Sequence, residues 1–145
     1  MMFEKIVVAI DGSEEASHAL EIACDLANKY GSEIHLVHSP QLETTAIAVG
    51  SGAVEIEPKP EKVAEAGQQV MDRAVEKVKS LGCTHYKCVI SNGDPAEEIL
   101  KELKAADADL VVMGRRGLGR ISSLLLGSVS QKVSHDAQCT CMTVC

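Results

Sequence analysis

The stretch IVVAIDGSEE, residues 6–15, is the part of the chain that decides the fold. Its first five residues are apolar and mostly β-branched, which is typical of a strand in a parallel sheet covered on both faces. The strand pattern stops at Asp11 and Gly12, after which Ser13 can cap a helix whose first turn carries two glutamates. An apolar stripe then continues as far as Gly31, which marks the helix end. The chain is therefore predicted to open with a strand, a turn and a helix.

The same alternation of strand and helix patterns continues along the chain. Further strands are predicted at residues 34–38, 86–90, 110–113 and 140–144, and further helices from 61 to 81, after Asp94 and from Ser128. Residues 39–60 contain glycines and prolines without clear periodicity, so they stay unassigned as a functional or mobile loop. Alternating elements of this kind predict a doubly wound α/β sheet with right-handed crossovers. Ligands of such sheets bind outside the carboxyl ends of the strands.

Three helices carry specific local expectations. The apolar stripe of the long second helix is predicted to consist of Val63, Ala66, Val70, Ala74, Val78 and Leu81. The third helix is predicted to be capped by Asp94, with Pro95 at its first position and Glu97 reaching back. The fourth is predicted to begin at Ser128, with Gln131 placed for a reciprocal cap.

Composition limits the classes of function. Only 2% of the 145 residues are aromatic and the formal net charge is −7, which disfavours stacking on single-stranded nucleic acid and binding to a phosphate backbone. We therefore expect no nucleic-acid partner, whereas a small anion held by backbone amides is allowed. The sequence shows neither a basic leader nor an apolar run long enough to cross a bilayer, so we expect a cytoplasmic protein with no membrane partner and with reduced cysteines.

A glycine-rich segment follows the strand predicted at residues 110–113. Gly114 and Gly117 are separated by two residues, and nine residues later Gly127 and Ser128 open a helix. Glycines let a backbone approach a phosphate closely, and the free amides of a helix start favour an anion. The Walker triplet of glycine, lysine and serine or threonine is absent, and Ser122 stands where a Rossmann fingerprint needs its third glycine.

These motifs resemble the ATP-binding branch of the universal stress protein family. Its signature of glycine, two residues, glycine, nine residues, glycine and serine or threonine is matched by the glycine-rich segment without a gap. Residues 7–13, 93–99 and 111–114 are similar to the opening strand and turn, the third helix start and the fourth strand of the family. The resemblance covers nearly the whole chain and implies one Rossmann-like domain over residues 1–145 with a five-stranded parallel sheet.

The resemblance also implies a ligand and a set of residues that hold it. The ligand would be ATP, with ADP and AMP as alternatives, accompanied by Mg or Mn bound through the phosphates. The adenosine would lie near Asp11 and the ends of the strands, and the phosphates over the glycine-rich segment. The residues implied by motif position are Ile10, Asp11, Ser39, Met113, Gly114, Arg116, Gly117, Gly127, Ser128, Val129 and Ser130. The resemblance further implies a homodimer formed through the last strand, as is common in the family.

Several of these residues, and the cysteines and histidines, have interpretations other than a ligand site. Asp11 can be a plain turn residue, and paired arginines such as Arg115 and Arg116 can simply be solvated. The cysteines at 139, 141 and 145 can bind a soft metal, but packing as small apolar side chains is the stronger interpretation. His35 and His38 should point to opposite faces of their strand and so should not chelate together.

The sequence favours a binding module that acts in stress response or signalling through nucleotide-dependent conformation or partner binding. Its rival is a slow ATPase or nucleotidyl-transferring enzyme of similar fold. The missing Walker lysine and the lack of a base beside Ser128 weigh against that rival.

Overall fold

The computed structural model describes residues 2–40, 45–49, 52–56, 59–116 and 126–145. Seven strands and four helices are present in these ranges. The strands are β1 (Lys5–Ala9), β2 (Glu33–His38), β3 (Thr45–Val49), β4 (Gly52–Ile56), β5 (Tyr86–Ile90), β6 (Leu110–Gly114) and β7 (Thr140–Val144). The helices are α1 (Glu14–Tyr30), α2 (Pro60–Ser80), α3 (Pro95–Ala106) and α4 (Ser128–Asp136).

Five strands form the parallel sheet that the alternating pattern predicts. Their order is β5-β2-β1-β6-β7, and Ile6 of β1 lies opposite Ile34 of β2 on one side and Leu110 of β6 on the other. From β1 the chain first adds strands in one direction and then returns to add β6 and β7 on the other side. The order of strands therefore reverses between β1 and β6, where the loops diverge and leave a crevice at the carboxyl ends.

The sheet is covered on both faces by separate apolar layers. On one face Ile6, Val8 and Leu36 pack against α1 and α2. On the other face Val7 and Val111 pack against α3 and α4. Alternation along each strand sends successive side chains into opposite layers, which explains why the strands are continuously apolar.

The helix ends confirm most of the local predictions. The Ser13 hydroxyl accepts a hydrogen bond from the amide of Ala16 at 3.1 Å, and Gly31 ends α1 with a φ of 70°. Asp94 caps α3 by accepting from the amide of Glu97 at 3.1 Å. The Glu97 carboxylate was wrongly predicted to reach back to the cap: it forms an ion pair with Lys132 of α4 at 3.3 Å and so joins two helices.

Two further local predictions were wrong. In α2 the buried residues are Gly67, Met71, Ala74 and Val78, whereas Ala66 and Leu81 are exposed. The helix is rotated so that Gly67 and Met71 face the sheet, because glycine permits close packing there and methionine supplies more apolar surface than Ala66. The reciprocal cap of α4 is also absent, because Gly127 is the N-cap residue, makes no side-chain bond, and leaves Ser128 at the first helical position.

The unassigned residues 39–60 contain a hairpin. Strands β3 and β4 pair antiparallel, with Val49 opposite Gly52, and form a two-stranded sheet separate from the main one. Periodicity did not reveal these strands, since each is only five residues long.

In the described ranges, none of the helices combines the length and apolar character needed to cross a membrane.

Candidate functional site

The turn after β1 brings Asp11 to the rim of the sheet at the β1–β6 crevice. The amide of Ile10 donates to the carbonyl of Val37 at 2.8 Å, which extends the pairing of β1 with β2 past the end of the strand. Asp11 accepts from the amide of Ser13 through Oδ1 at 2.8 Å, and Gly12 between them has a φ of 85°. The turn interpretation of Asp11 is therefore confirmed. One carboxylate oxygen fixes the turn, and the partly exposed side chain lies at the position expected for a ligand contact.

Ser39 lies at the end of β2 and is nearly buried. Its hydroxyl donates to the carbonyl of Gly93, in the turn that precedes α3. This bond ties two loops of the rim together. The structure thus places Ser39 at the predicted edge of the sheet, while its hydroxyl serves the protein backbone.

Met113 and Gly114 end β6 on opposite faces. The Met113 side chain is 2% exposed and belongs to the layer formed with α3 and α4. Gly114 lies against the first turn of α1, where an added Cβ would be 2.9 Å from Cβ of Glu15 and 3.2 Å from the amide nitrogen of Ala16. Gly114 is therefore required for the close approach of α1 to β6.

Hydrogen bonds hold the two ends of the glycine-rich segment, Arg115 and Gly127, together, and this junction is called the closed base of the segment. The amide of Arg115 donates to the carbonyl of Val144 at 2.7 Å, and the amide of Gly127 donates to the carbonyl of Arg115 at 2.8 Å. The buried hydroxyl of Ser130 lies 2.6 Å from the same Arg115 carbonyl and 3.1 Å from that of Gly127. These bonds hold the two ends of the segment together and place the start of α4 beside the end of β6.

The first turn of α4 begins beside the end of β6 and contains backbone donors that have no acceptor inside the helix. The first helical hydrogen bond runs from the amide of Gln131 to the carbonyl of Gly127 at 2.9 Å. The amides of Ser128, Val129 and Ser130 precede it and so have no acceptor within the helix. The Ser128 side chain is exposed, whereas Val129 packs partly against the apolar layer of α3 and α4. Gly117, the remaining predicted phosphate residue, lies outside the described residues.

Charges around the base of the segment combine one acid and two guanidinium groups. The amide of Arg116 donates to Oε2 of Glu15 at 2.7 Å, and Glu15 is only 5% exposed. Within the described part of the chain, Nε of Arg115 and Nε of Arg116 are buried and have no hydrogen-bond partner. Buried Nε donors without a partner, and helix-start amides without an acceptor inside the helix, both favour an anion. From the sequence, Glu15 is interpreted only as an acidic residue that suits the positive first turn of α1. Nothing in the spacing of the sequence indicates its contact with a residue 101 positions away.

The cysteines and histidines behave as packing and bridging groups. Burial raises the pKa of the thiols of Cys139 and Cys141, which favours the neutral form rather than the thiolate that binds metals. Groups of three or more metal-binding side chains do not occur among the described residues. His35 bonds to Glu102 of α3, while His38 on the opposite face bonds to the carbonyl of Ile10 at 2.6 Å.

The fold defines the class of protein: a doubly wound α/β domain whose strand order reverses between β1 and β6. Comparison with known proteins places it more narrowly. The model of the universal stress protein family matches residues 2–144, and the chain belongs to that family.

Relatives and solved structures agree with this assignment. The chain is 33% identical to universal stress protein YxiE of Bacillus subtilis over 99% of both chains. It is 36% identical to a universal stress protein of Thermus aquaticus, again over 99% of both.

Similar solved structures include complexes with nucleotides. An Arabidopsis thaliana family protein with AMP bound is 25% identical with a TM-score of 0.64, covering 97% of this chain and 90% of that one. The Archaeoglobus fulgidus protein in complex with dAMP has a TM-score of 0.70 at 23% identity, covering 100% of both chains. A universal stress protein in complex with cAMP has a TM-score of 0.73 at 21% identity, covering 100% of this chain and 98% of that one.

Proposed function

We propose that residues 1–145 form one nucleotide-binding module that holds ATP, or alternatively ADP or AMP, at the β1–β6 crevice. The observation that carries the proposal is the closed base of the glycine-rich segment. It brings the amides of Ser128, Val129 and Ser130, which have no acceptor inside the helix, to the end of β6, where Nε of Arg115 and Nε of Arg116 are buried without a partner among the described residues. Three similar structures contain cAMP, dAMP or AMP, which supports an adenine nucleotide as the ligand.

The roles of the rim residues follow from their positions. Asp11 and the backbone of Ile10 would contact the adenosine from β1, Ser39 from the end of β2, and Met113 and Gly114 from β6. The phosphates would lie over Arg116, Gly117 and Gly127, and the amides of Ser128, Val129 and Ser130 would donate to them. As the family resemblance implies, Mg or Mn would accompany the nucleotide, bound through its phosphates.

We propose binding, rather than turnover, as the function of this site. Ser128 and His135 lie on the same helix, but the Nδ1 atom of His135 bonds to Asp136 at 2.7 Å and the His135 side chain is 87% exposed. A serine without an adjacent base is a weak nucleophile, so any hydrolysis of ATP should be slow. Occupancy by nucleotide would then favour one conformation or one set of partners in a cytoplasmic stress or signalling response.

The experiment is calorimetric titration of nucleotide-free protein with ATP and AMP, with identification of any nucleotide released by heating the purified protein. Gly127→Val should lose binding, because a branched side chain at the N-cap would block the approach of a phosphate. Gly127 has a φ of −71°, which valine tolerates, so circular dichroism should show an intact fold. Unchanged ATP affinity in folded Gly127→Val would place the nucleotide elsewhere.

The homodimer that the family resemblance implies is also part of the proposal. β7 is an edge strand of the sheet, and unpaired backbone groups at an edge can pair with a second chain. Met142 and Val144 pack against the α1–α2 face of the sheet. The partner would therefore contact the backbone edge and the exposed Thr140 and Thr143.

A further inference from the structure

A cavity of about 150 Å³ lies between α1 and α2, on one face of the sheet. It reaches from the β1–α1 turn to Lys77 of α2. The gap exists because the facing positions carry short side chains, notably Gly12, Ala16, Ser17 and Ala74. Its apolar wall is formed by Ile10, Leu20 and Val70.

This cavity differs from the proposed nucleotide site in its lining. Of the proposed nucleotide contacts only Ile10 lines it, whereas Ser39, Met113, Gly114 and the first turn of α4 do not. The nucleotide site lies at the carboxyl ends of β1 and β6. The cavity continues along the two helices, away from that rim.

Two cations line the cavity in a chain whose net charge is −7. Lys77 forms an ion pair with Glu21 at 2.7 Å and donates to the hydroxyl of Ser17. Its hydrogen bond to Glu21, and then its charge, hold the pKa of the Glu21 carboxyl below the ordinary value. Lys77 is thus engaged by α1. Arg73, one turn earlier on α2, makes no hydrogen bond or ion pair with any residue of the described ranges.

An apolar wall beside Arg73, whose exposed guanidinium has no partner among the described residues, suits a small amphipathic anion. A dry cavity of about this volume accommodates a benzene-sized molecule, which corresponds to an alkyl tail of about four to six carbons. A carboxylate can accept two parallel hydrogen bonds from the fork of an arginine, which makes this pair geometrically selective.

We propose that this cavity binds a short-chain carboxylate. The alkyl tail lies against Ile10, Leu20 and Val70, and the carboxylate pairs with Arg73. The site is separate from the nucleotide site, and its occupant stabilises the packing of α1 on α2.

The test is a titration of the full chain with hexanoate, n-hexanol and hexylammonium, monitored by amide chemical shifts. Hexanoate should shift amides of α1 and α2 and bind at least about tenfold more tightly than hexanol, and hexylammonium should bind least. Arg73→Gln should weaken hexanoate about tenfold and leave hexanol unchanged. Lys79→Gln is the matched control, because it removes the same charge from an exposed position of α2 that does not line the cavity.

A second variant tests the volume separately from the charge. Ala74→Leu fills the cavity and should abolish binding of hexanoate and hexanol alike, with circular dichroism as the folding check. Absence of hexanoate binding at millimolar concentration, or equal losses in Arg73→Gln and Lys79→Gln, would overturn the proposal. Displacement of hexanoate by ATP in simple competition would also overturn it, because the cavity would then belong to the nucleotide site. Nucleotide affinity is measured independently, so failure of one proposal leaves the other standing.

Discussion

Two serines of the first turn of α4, which the family resemblance treats alike, should have separable roles. The hydroxyl of Ser130 is buried and lies 2.6 Å from the carbonyl of Arg115 and 3.1 Å from that of Gly127. The side chain of Ser128 is exposed at the first helical position. Ser130 should therefore stabilise the base of the glycine-rich segment, whereas Ser128 should contact the phosphates directly.

The magnitudes follow from the chemistry of each bond. Ser130→Ala removes an internal hydrogen bond, and the Arg115 carbonyl keeps its other donor, the amide of Gly127. We expect a loss of about 0.5–1.5 kcal/mol in the free energy of unfolding. Ser128→Ala should change that free energy by less than about 0.5 kcal/mol. It removes a hydrogen bond to a charged group, about 1.5–3 kcal/mol, so ATP affinity should fall roughly ten- to hundredfold.

The assay pairs urea unfolding with calorimetric titration of ATP on both variants. The reasoning is refuted if Ser128→Ala binds ATP like the unsubstituted protein, or if Ser130→Ala is as stable as the unsubstituted protein. A stability loss in Ser128→Ala equal to that in Ser130→Ala would show that the two hydroxyls share one structural role.

Three further predictions concern packing, pH and assembly. Gly114→Ala places a Cβ 2.9 Å from Cβ of Glu15 and should lower the free energy of unfolding in urea by about 1–3 kcal/mol. Gly52→Ala, whose added Cβ meets nothing within 4 Å, should lower it far less. Equal losses in the two variants would contradict the close approach of α1 to β6. The hydrogen bond from His35 lowers the pKa of Glu33. The stability that Glu33 contributes is therefore present above its unfolded pKa and is lost as pH falls through the lower folded pKa. If the urea midpoints of Glu33→Gln and of the unsubstituted protein respond to acid identically, this bond does not contribute. Because the Val144 carbonyl faces β6, strand alternation turns the amide of Thr143 to the open edge of the sheet. Thr143→Pro should therefore convert the proposed homodimer to a monomer in light scattering without unfolding the sheet. An unchanged mass would exclude β7 from the dimer interface.

Much of the fold follows from local signals in the sequence. The apolar run at residues 6–10, the cap at Ser13 and the left-handed Gly31 each act through neighbouring residues, and the structure confirms all three. The reversal of strand order is harder to predict from local patterns. It follows from the alternation of elements together with the family resemblance, and the observed order confirms the five-stranded parallel sheet.

The errors arise where long-range packing decides the outcome. The stripe of α2 was assigned by counting apolar residues, but Gly67 and Met71 face the sheet because of the shape of the neighbouring layer. The contact between Glu15 and the amide of Arg116 joins elements far apart in sequence, so no spacing could reveal it.

The most direct measurement of the proposed function is an amide chemical-shift titration of isotopically labelled, nucleotide-free protein with ATP and then with AMP. We expect saturable shifts at Asp11, Gly114 and the first-turn amides of α4, with the α4 shifts larger for ATP because its additional phosphates reach Ser128, Val129 and Ser130. Absence of shifts at millimolar nucleotide, or shifts confined to residues away from the carboxyl ends of β1 and β6, would contradict nucleotide binding at this crevice.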